Sequence, residues 1–591
     1  MKKRYHTKYK NRKRSNVKKP SFKIDRLKFL FLLFIIATAI IIMRLFNVQI
    51  LEHGFYEALA SGQHELYQKL FPARGEVYIN DPYSENGLYS IITNQPKHLV
   101  YAEPQRIENH EEVAEKISPI LNIDKEELIN KLSDKEDPYE PLKKRVSDIE
   151  INAIEELDLV GIHSREELWR YYPESECTSH LTGFLGISND EQKGQYGLEG
   201  YFDEELKGTA GYLKSEQDAG GRFLAIGDQL IEEAKDGENL YLTIDKNIQF
   251  AICDRLKTAI EKHGAKEGSV IVADPKTGAI LGYCNYPYYD PNNYSDVESI
   301  DVFMDSIVAD QYEPGSVFKV ITMAAGLDMG KITPSSTYED TGSVQIGSYT
   351  IQNSDGKSYG VVDMNTVLSE SLNTGSIHVA RQVGNEAFYQ YVDKFGFGAP
   401  TGIPVMGENK GNITGLGKLK DIYSATASYG QGITVTPIQL LMAFAAIANN
   451  GTLMKPYLVE KIQKPNGHVE ENYPEEVRQV IQPSTANTLA AMMVNVIDDG
   501  HATLAGVDGY FLAGKTGTAQ IPKENGVGYD ANRHKDSFVG FGPVSDPQFV
   551  VLVKIDEPKD VMWSAASTAP LFGDIAKFLV NYLQIPPDRE E

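Results

Sequence analysis

The segment Glu313-Pro314-Gly315-Ser316-Val317-Phe318-Lys319 enters an apolar run, Val320 to Met329, with helical spacing and a stop at Gly330. A serine hydroxyl is a weak nucleophile at neutral pH and needs a base within hydrogen-bond reach. Ser316 and Lys319 stand i to i+3 and share a helix face. Lys319 serves as that base if Val317, Phe318 and their neighbours desolvate its ammonium and neutralise it. The tetrad alone is weak, because Ser15–Lys18 and Ser354–Lys357 repeat it. Two further clusters follow in order: Ser371-Leu372-Asn373 after Val361–Glu370, which is expected to be helical, and Lys515-Thr516-Gly517-Thr518 after the apolar Tyr510–Ala513. A second Lys-Thr-Gly, Lys276–Gly278, precedes the serine and falls in a turn.

Residue types assign the chemistry. Ser316 would attack a carbonyl and Lys319 would take its proton. Ser371 would relay a proton toward the leaving amine, and Asn373 would hold a substrate amide. Lys515 would supply positive charge to a substrate carboxylate, with the hydroxyls of Thr516 and Thr518 beside it. Gly517 would allow close approach of backbone or ligand. The backbone N–H groups of Ser316 and Thr518 would form an oxyanion hole.

Other familiar patterns fail on context. Gly509 to Thr516 fits the phosphate-loop spacing, but its variable residues read as a buried strand and a poor helix follows. Gly356-Lys357-Ser358-Tyr359-Gly360 fits the nucleophile-elbow pattern after a loop, where a strand is required. The histidines show no ligand spacing, so neither a metal nor a cofactor is expected.

These residues must be carried by a large chain of 591 residues, 41% hydrophobic and 24% charged, long enough for two or more domains. Its three cysteines, Cys177, Cys253 and Cys284, are scattered, and no disulfide scaffold is expected; Cys253 reads as a core or helix-face residue. The net charge of −24 argues against nucleic-acid binding. That average hides an asymmetry: residues 1–28 hold thirteen Lys/Arg against the single acid Asp25. Phe29 to Met43 then runs without a charge, and residues 29–51 read as a membrane anchor if Arg44 snorkels. No small-residue cleavage site follows, which argues against a cleaved signal peptide. The basic tail orients it, with residues 1–28 in the cytoplasm and all that follows residue 51 outside.

Residues 52–235 are polar and irregular, with expected strands at Leu88–Thr93 and Leu99–Ala102 and helices at Glu111–Leu121 and Lys125–Leu132. Glycines cluster from Gly194 to Gly221 before the texture changes at Asp236–Gly237. A strand at Asn239–Ile244, a helix at Ile248–Lys262 and a hairpin turning at Asp274–Gly278 follow. Strands and helices mix without βαβ regularity, so the fold class is α+β.

The order SxxK, SxN, KTG, separated by about fifty and about 140 residues, resembles the three-part signature of penicillin-recognising acyl-serine enzymes. Along nearly its whole length the chain resembles the monofunctional class B penicillin-binding proteins, the D,D-transpeptidases of cell-wall synthesis. Ala73–Val77 matches that family's membrane-proximal Arg-Gly motif; Arg170–Pro173 with His180–Gly183, and Gly197–Gly200, match two more. Ser428–Gly432 and Thr436–Gln439 match a loop and helix start, while Ser537–Phe541 and Glu557-Pro558 look like the closing strands.

The resemblance implies a penicillin-binding transpeptidase fold, an antiparallel sheet with helices on both sides (236–591), after a mainly β or mixed pedestal of dimerisation type (52–235). It implies peptidoglycan stem peptides as substrates, β-lactams as inhibitors, and a multi-spanning glycan polymerase of the shape–elongation–division–sporulation family as partner. Division-type and elongation-type members share these motifs, and the reading leans to division. A departure is Tyr78–Pro82, where the family usually continues Asp-Arg-Asn-Gly. The rival readings are a D,D-carboxypeptidase, which usually lacks the long pedestal; a β-lactamase, which is nearer half this length; and an inactive scaffold or sensor, expected to lose a motif.

Overall fold

The computed structural model describes residues 65–135, 137–188, 191–216, 230–523 and 528–589, together with Ile35, Thr38 and 41–43. The expected basic tail lies outside the described residues, as do most of the expected anchor and Gly220-Gly221. Among the described residues no helix is long and apolar enough to cross a membrane.

The chain divides into two compact units. The smaller contains a three-stranded sheet, Glu65–Leu70, Gly211–Glu216 and Leu230–Glu232, with Gly211–Glu216 in the middle. The larger comprises residues 72–209 and 235–591.

In the larger unit the two short strands expected near residues 88–102 are one long strand, Leu88–Ala102. It pairs with Ile162–Tyr171 from Thr93 to Ala102 and with Glu140–Val146. Pro96 and Lys97 interrupt the apolar pattern, yet Pro96 sits in register with Leu168, so the ladder is continuous. Against this sheet lie three capped helices, His110–Leu121, Lys125–Leu132 and Asp148–Glu155. Asn109 and Asp124 accept backbone N–H groups of the first turns, and Ser147 forms a capping box with Glu150. Their inward faces, including Ile117, Leu121, Leu128 and Ile151, enclose a small separate core.

Strand Asn239–Asp245 pairs in parallel with Val77–Asn80 and antiparallel with Val459–Gln463. One sheet therefore runs across the 235/236 position expected to separate pedestal from catalytic unit. A single core likewise extends from Val77 to Val580.

The catalytic sheet has five antiparallel strands in the order Ile280–Tyr286, Glu267–Ala273, Phe549–Asp556, Tyr529–Gly542, Ala513–Pro522. Helices Lys246–His263 and Thr568–Tyr582 cover one face; the contact is close enough that a Cβ on Gly540 would meet the Phe572 ring at 2.7 Å. Pro437–Ala448, in which all twelve residues are buried, packs on the other side. This is the expected α+β arrangement.

Local expectations differ in three places. Val361–Glu370 divides into a strand, Gly360–Asp363, and a helix, Met364–Ser369, because Asp363 caps the helix by accepting from Thr366 N. Ser537–Phe541 lies in a sheet strand, but Glu557-Pro558 follows the strand end, with Glu557 at φ 53°. Cys177 and Cys253 are joined in a disulfide between helices Ser175–Thr182 and Lys246–His263, while Cys284 is free and buried. Folding brings together two residues 76 apart in sequence, which spacing alone does not reveal.

Candidate active site

Ser316 lies on a single 3-10 turn, Gly315–Phe318, and Lys319 opens the helix Lys319–Asp328 that follows. Gly315 sits at φ 61°, which few side-chain-bearing residues adopt, and its N–H donates to the Gly430 carbonyl at 3.1 Å. A Cβ on Gly430 would lie 2.1 Å from the Gly315 carbonyl oxygen, so this contact requires glycine at 430. Glu313 takes the Gly432 N–H and the Tyr529 hydroxyl. The loop Ser428–Gly432 is thus the bracket that holds the Ser316 turn.

Upstream, Asp310 receives Lys535 at 2.7 Å and Lys554 at 2.8 Å. Burial opposes its charge, but Lys554 and Lys535 bring its carboxyl down to about 2. Lys554 is itself wholly buried between Asp310 and Asp556, a network that fixes the approach to Ser316 on the sheet.

Lys319 is fully buried and donates to the carbonyl of Ser371 and, at 3.1 Å, to its hydroxyl. Burial pulls its ammonium well below the ordinary lysine range, and the nearby charge of Lys515 adds to the effect. Ser371 stands at φ 56°, in the left-handed region, between helices Met364–Ser369 and Asn373–Val383. Asn373 begins the second helix, and its Nδ2 donates to the Gln352 carbonyl at 2.9 Å.

The edge strand Ala513–Pro522 forms the opposite wall. Lys515 is fully buried, contacts the carbonyl and hydroxyl of Thr516 at 3.3 and 3.2 Å, and is drawn down to about 7 by burial. A Cβ on Gly517 would lie 2.8 Å from the Pro314 carbonyl oxygen, which explains the glycine by close approach of backbone. The Thr518 hydroxyl is tied to Ser564, whose N–H donates to it at 3.0 Å.

Ser316, Asn373 and Thr518 line one cleft of about 1090 Å³, whose rim includes Tyr429 and Trp563. Lys319 and Lys515 lie beneath its surface. The structure thus brings all three sequence clusters together. Of the decoys, Gly509–Thr516 runs into the edge strand rather than a phosphate-binding helix. Ser354 also lines the cleft, without a helix behind it, and Ser358 spends its hydroxyl on the Asp340 carbonyl. Thr277 of the second Lys-Thr-Gly bonds Asp274 inside its turn.

Two groups near the site have no counterpart in the motifs. Asp536 pairs with Thr518 in the ladder, accepts from Ser567 and is pushed up to about 7 by burial. Asp340 lies buried beside Thr374. Isolated acids of this kind carry no signal in sequence.

Away from the cleft, the motifs at Ala73–Val77, Arg170–Pro173 and Gly197–Gly200 meet at one carboxylate. Glu199, wholly buried, accepts from Arg74 Nε at 2.8 Å and from Arg170 Nε at 2.5 Å. Burial opposes its charge, but the two guanidiniums keep its carboxyl below the usual range.

Residues 268–577 match the penicillin binding protein transpeptidase domain, and residues 69–242 the penicillin-binding protein dimerisation domain. Stage V sporulation protein D of Bacillus subtilis is 31% identical over 96% of this chain and 87% of its own length. Peptidoglycan D,D-transpeptidase FtsI of Escherichia coli is 31% identical over 76% of this chain and 73% of its own. The crystal structure of penicillin binding protein 2X from Streptococcus thermophilus superposes with a TM-score of 0.74 at 24% identity, covering 87% of this chain and 80% of that one, a likeness of fold. With the serine–lysine pair, the Ser-Leu-Asn turn and the Lys-Thr-Gly strand assembled around one cleft, the chain belongs to the class B penicillin-binding proteins, the serine D,D-transpeptidases of peptidoglycan synthesis.

Proposed function

We propose that Ser316 is the nucleophile that takes the acyl group of a D-Ala-D-Ala stem peptide, with Lys319 as the base that accepts its proton. The observation that carries this reading is Lys319 itself: buried, without a carboxylate partner among its described hydrogen bonds, and donating to Ser371. A desolvated lysine beside a second buried lysine is poised to be neutral, and neutrality is what a base requires. Ser371 passes the proton to the leaving D-alanine amine, and an acceptor strand's amine then displaces Ser316 to close the cross-link.

Asn373 holds a substrate amide at the cleft wall. Lys515 supplies the field for the terminal carboxylate, with the Thr516 and Thr518 hydroxyls beside it. The N–H groups of Ser316 and Thr518 form the oxyanion hole. The packing supports this: a Cβ on Gly315 would be 3.1 Å from the Thr518 carbonyl, so turn and strand are adjacent. β-Lactams enter the same cleft as acylating inhibitors.

Residues 29–51 tether the protein to the membrane, with 1–28 cytoplasmic, residues 52–235 as pedestal and 236–591 as the catalytic domain. The partner of the tethered enzyme is a multi-spanning glycan polymerase, since a tether raises local concentration without new contacts. The relatives named FtsI support a role in division.

Mass spectrometry of the full-length protein after incubation with labelled penicillin tests the site. The adduct is expected on the peptide carrying Ser316; an adduct on Ser354 or Ser358 overturns the assignment.

A further inference from the structure

The cleft wall opposite the Lys-Thr-Gly strand is built on a buried acid that the reaction does not use. Asp340 closes the strand Thr337–Asp340 and is 1% exposed. Its Oδ1 receives the Gly342 N–H at 3.0 Å and the Thr374 hydroxyl at 2.7 Å. Its Oδ2 receives Asn353 Nδ2 at 3.0 Å and the Tyr359 N–H at 2.9 Å. Three backbone or amide N–H groups and a hydroxyl converge on one carboxylate; burial opposes its charge, but these bonds hold its pKa below the ordinary carboxylate value. Asn353, 4% exposed, in turn presents Oδ1 to the Thr374 N–H at 3.2 Å.

These bonds flank the contact that orients the substrate-facing amide. Asn373 precedes Thr374, and Gln352 precedes Asn353. The Asn373 Nδ2–Gln352 carbonyl bond therefore has each end anchored one residue along the chain, and the two anchors are bonded to each other and to Asp340. A backbone carbonyl only accepts, so the bond also decides which end of the Asn373 carboxamide is nitrogen. One N–H is committed to the wall, and the remaining N–H and Oδ1 are left with assigned positions.

We propose that Asp340 is a positioning residue, acting through Asn353 and Thr374, that clamps the Gln352 backbone against Asn373 and so sets the orientation of the Asn373 carboxamide toward the substrate's amide. The inference rests on the reading of Asn373 given above. It adds a specificity determinant located in the strap between the serine–lysine helix and the Ser-Leu-Asn turn. Substrates or inhibitors with an acyl amide feel the clamp, and those without one do not.

The test compares acylation of the full-length protein by penicillin G and by 6-aminopenicillanic acid, which shares the ring and carboxylate but lacks the acyl amide. Asn373→Ala is expected to narrow the preference for penicillin G by about tenfold, the value of one hydrogen bond. Thr374→Val, which keeps shape and removes the hydroxyl, is expected to narrow it in the same direction. Asp340→Asn, which sets an NH₂ against a backbone N–H in either orientation of its amide, Gly342 at one position or Tyr359 at the other, is expected to do so more strongly. Adding Thr374→Val to Asn373→Ala is expected to narrow it no further.

If Asn373→Ala leaves the preference unchanged, the role of Asn373 fails and the inference falls with it. If Asn373→Ala narrows the preference but Thr374→Val slows both ligands equally, the role of Asn373 stands and the clamp is overturned. Thr374→Val decides the matter where Asp340→Asn does not fold.

Discussion

Gly517 on the edge strand and Pro314 ahead of the nucleophile are in backbone contact, since a Cβ on Gly517 would lie 2.8 Å from the Pro314 carbonyl oxygen and 3.0 Å from Val317 Cγ1. This contact bounds the spacing between the N–H groups of Ser316 and Thr518, the proposed oxyanion donors. Gly517→Ala should push the strand away from the turn and cut the acylation rate by about 100-fold, the scale of a 1 Å misplacement. The melting temperature should fall only modestly. A variant acylated at the wild-type rate would show that the contact has no part in alignment.

Ser316→Ala and Lys319→Ala should each abolish acylation and leave the fold in place. As the proposed nucleophile and base, the two would act as a unit, so the double variant should be hardly slower than either single one. Stopped-flow acylation measures all three. Near-normal acylation by Lys319→Ala would move the base elsewhere in the cleft.

The disulfide between Cys177 and Cys253 ties helix Ser175–Thr182 to helix Lys246–His263. Closing a loop of 76 residues constrains the unfolded chain, so reduction or the Cys177→Ala/Cys253→Ala double variant should cost about 2–4 kcal/mol of stability. Acylation of the folded protein should persist, because every proposed catalytic residue lies beyond residue 310. Denaturant titration with and without reductant reads the cost, and coincident curves would remove the bridge from the stability account.

The legible parts of this chain were those in which type and spacing act locally. Helix Lys246–His263 shows both its periodicity and its Gly264 stop, and Asn122–Asp124 breaks the helix pair because Asn122 takes the left-handed C-cap and Asp124 the next N-cap. The catalytic clusters were visible because a nucleophile, a base and a charged strand need particular residue types in a particular order. What stayed hidden depends on chain returning from far away. Strand Asn239–Asp245 was expected, but its parallel partner at Val77–Asn80 was not, and that pairing merges the two sequence textures into one core. The Cys177–Cys253 bridge and the Asp340 cluster are hidden for the same reason. Asp363 redirected a helical-looking segment by capping it late, a choice that periodicity cannot express.

Lys515 gives the sharpest prediction, because burial sets its proton affinity and its cost together. In the fold its pKa is drawn down to about 7 by burial, whereas an unfolded lysine titrates at about 10.4. Below pH 7 the ammonium is charged in both states, and the full cost of burying it is present. As pH rises from 7 toward 10.4, the folded state gives up its proton while the unfolded state keeps it, so this residue's contribution makes stability rise with pH. Lys515→Met, which keeps the aliphatic stem, should therefore melt at a higher temperature than the wild type at pH 6, with the gap closing by pH 10. Its acylation by penicillins should nevertheless collapse, because the field that draws in the carboxylate is gone. Acylation of the wild-type protein by carboxylate-bearing ligands should decline above about pH 7, as free Lys515 loses its charge, while an uncharged acylating agent should show no such decline. Thermal unfolding at several pH values and paired pH–rate profiles check both limbs. A Met variant less stable than the wild type at pH 6 would mean that Lys515 is not a buried cost, and the same alkaline decline for both ligand classes would mean that it is not the carboxylate's counter-charge.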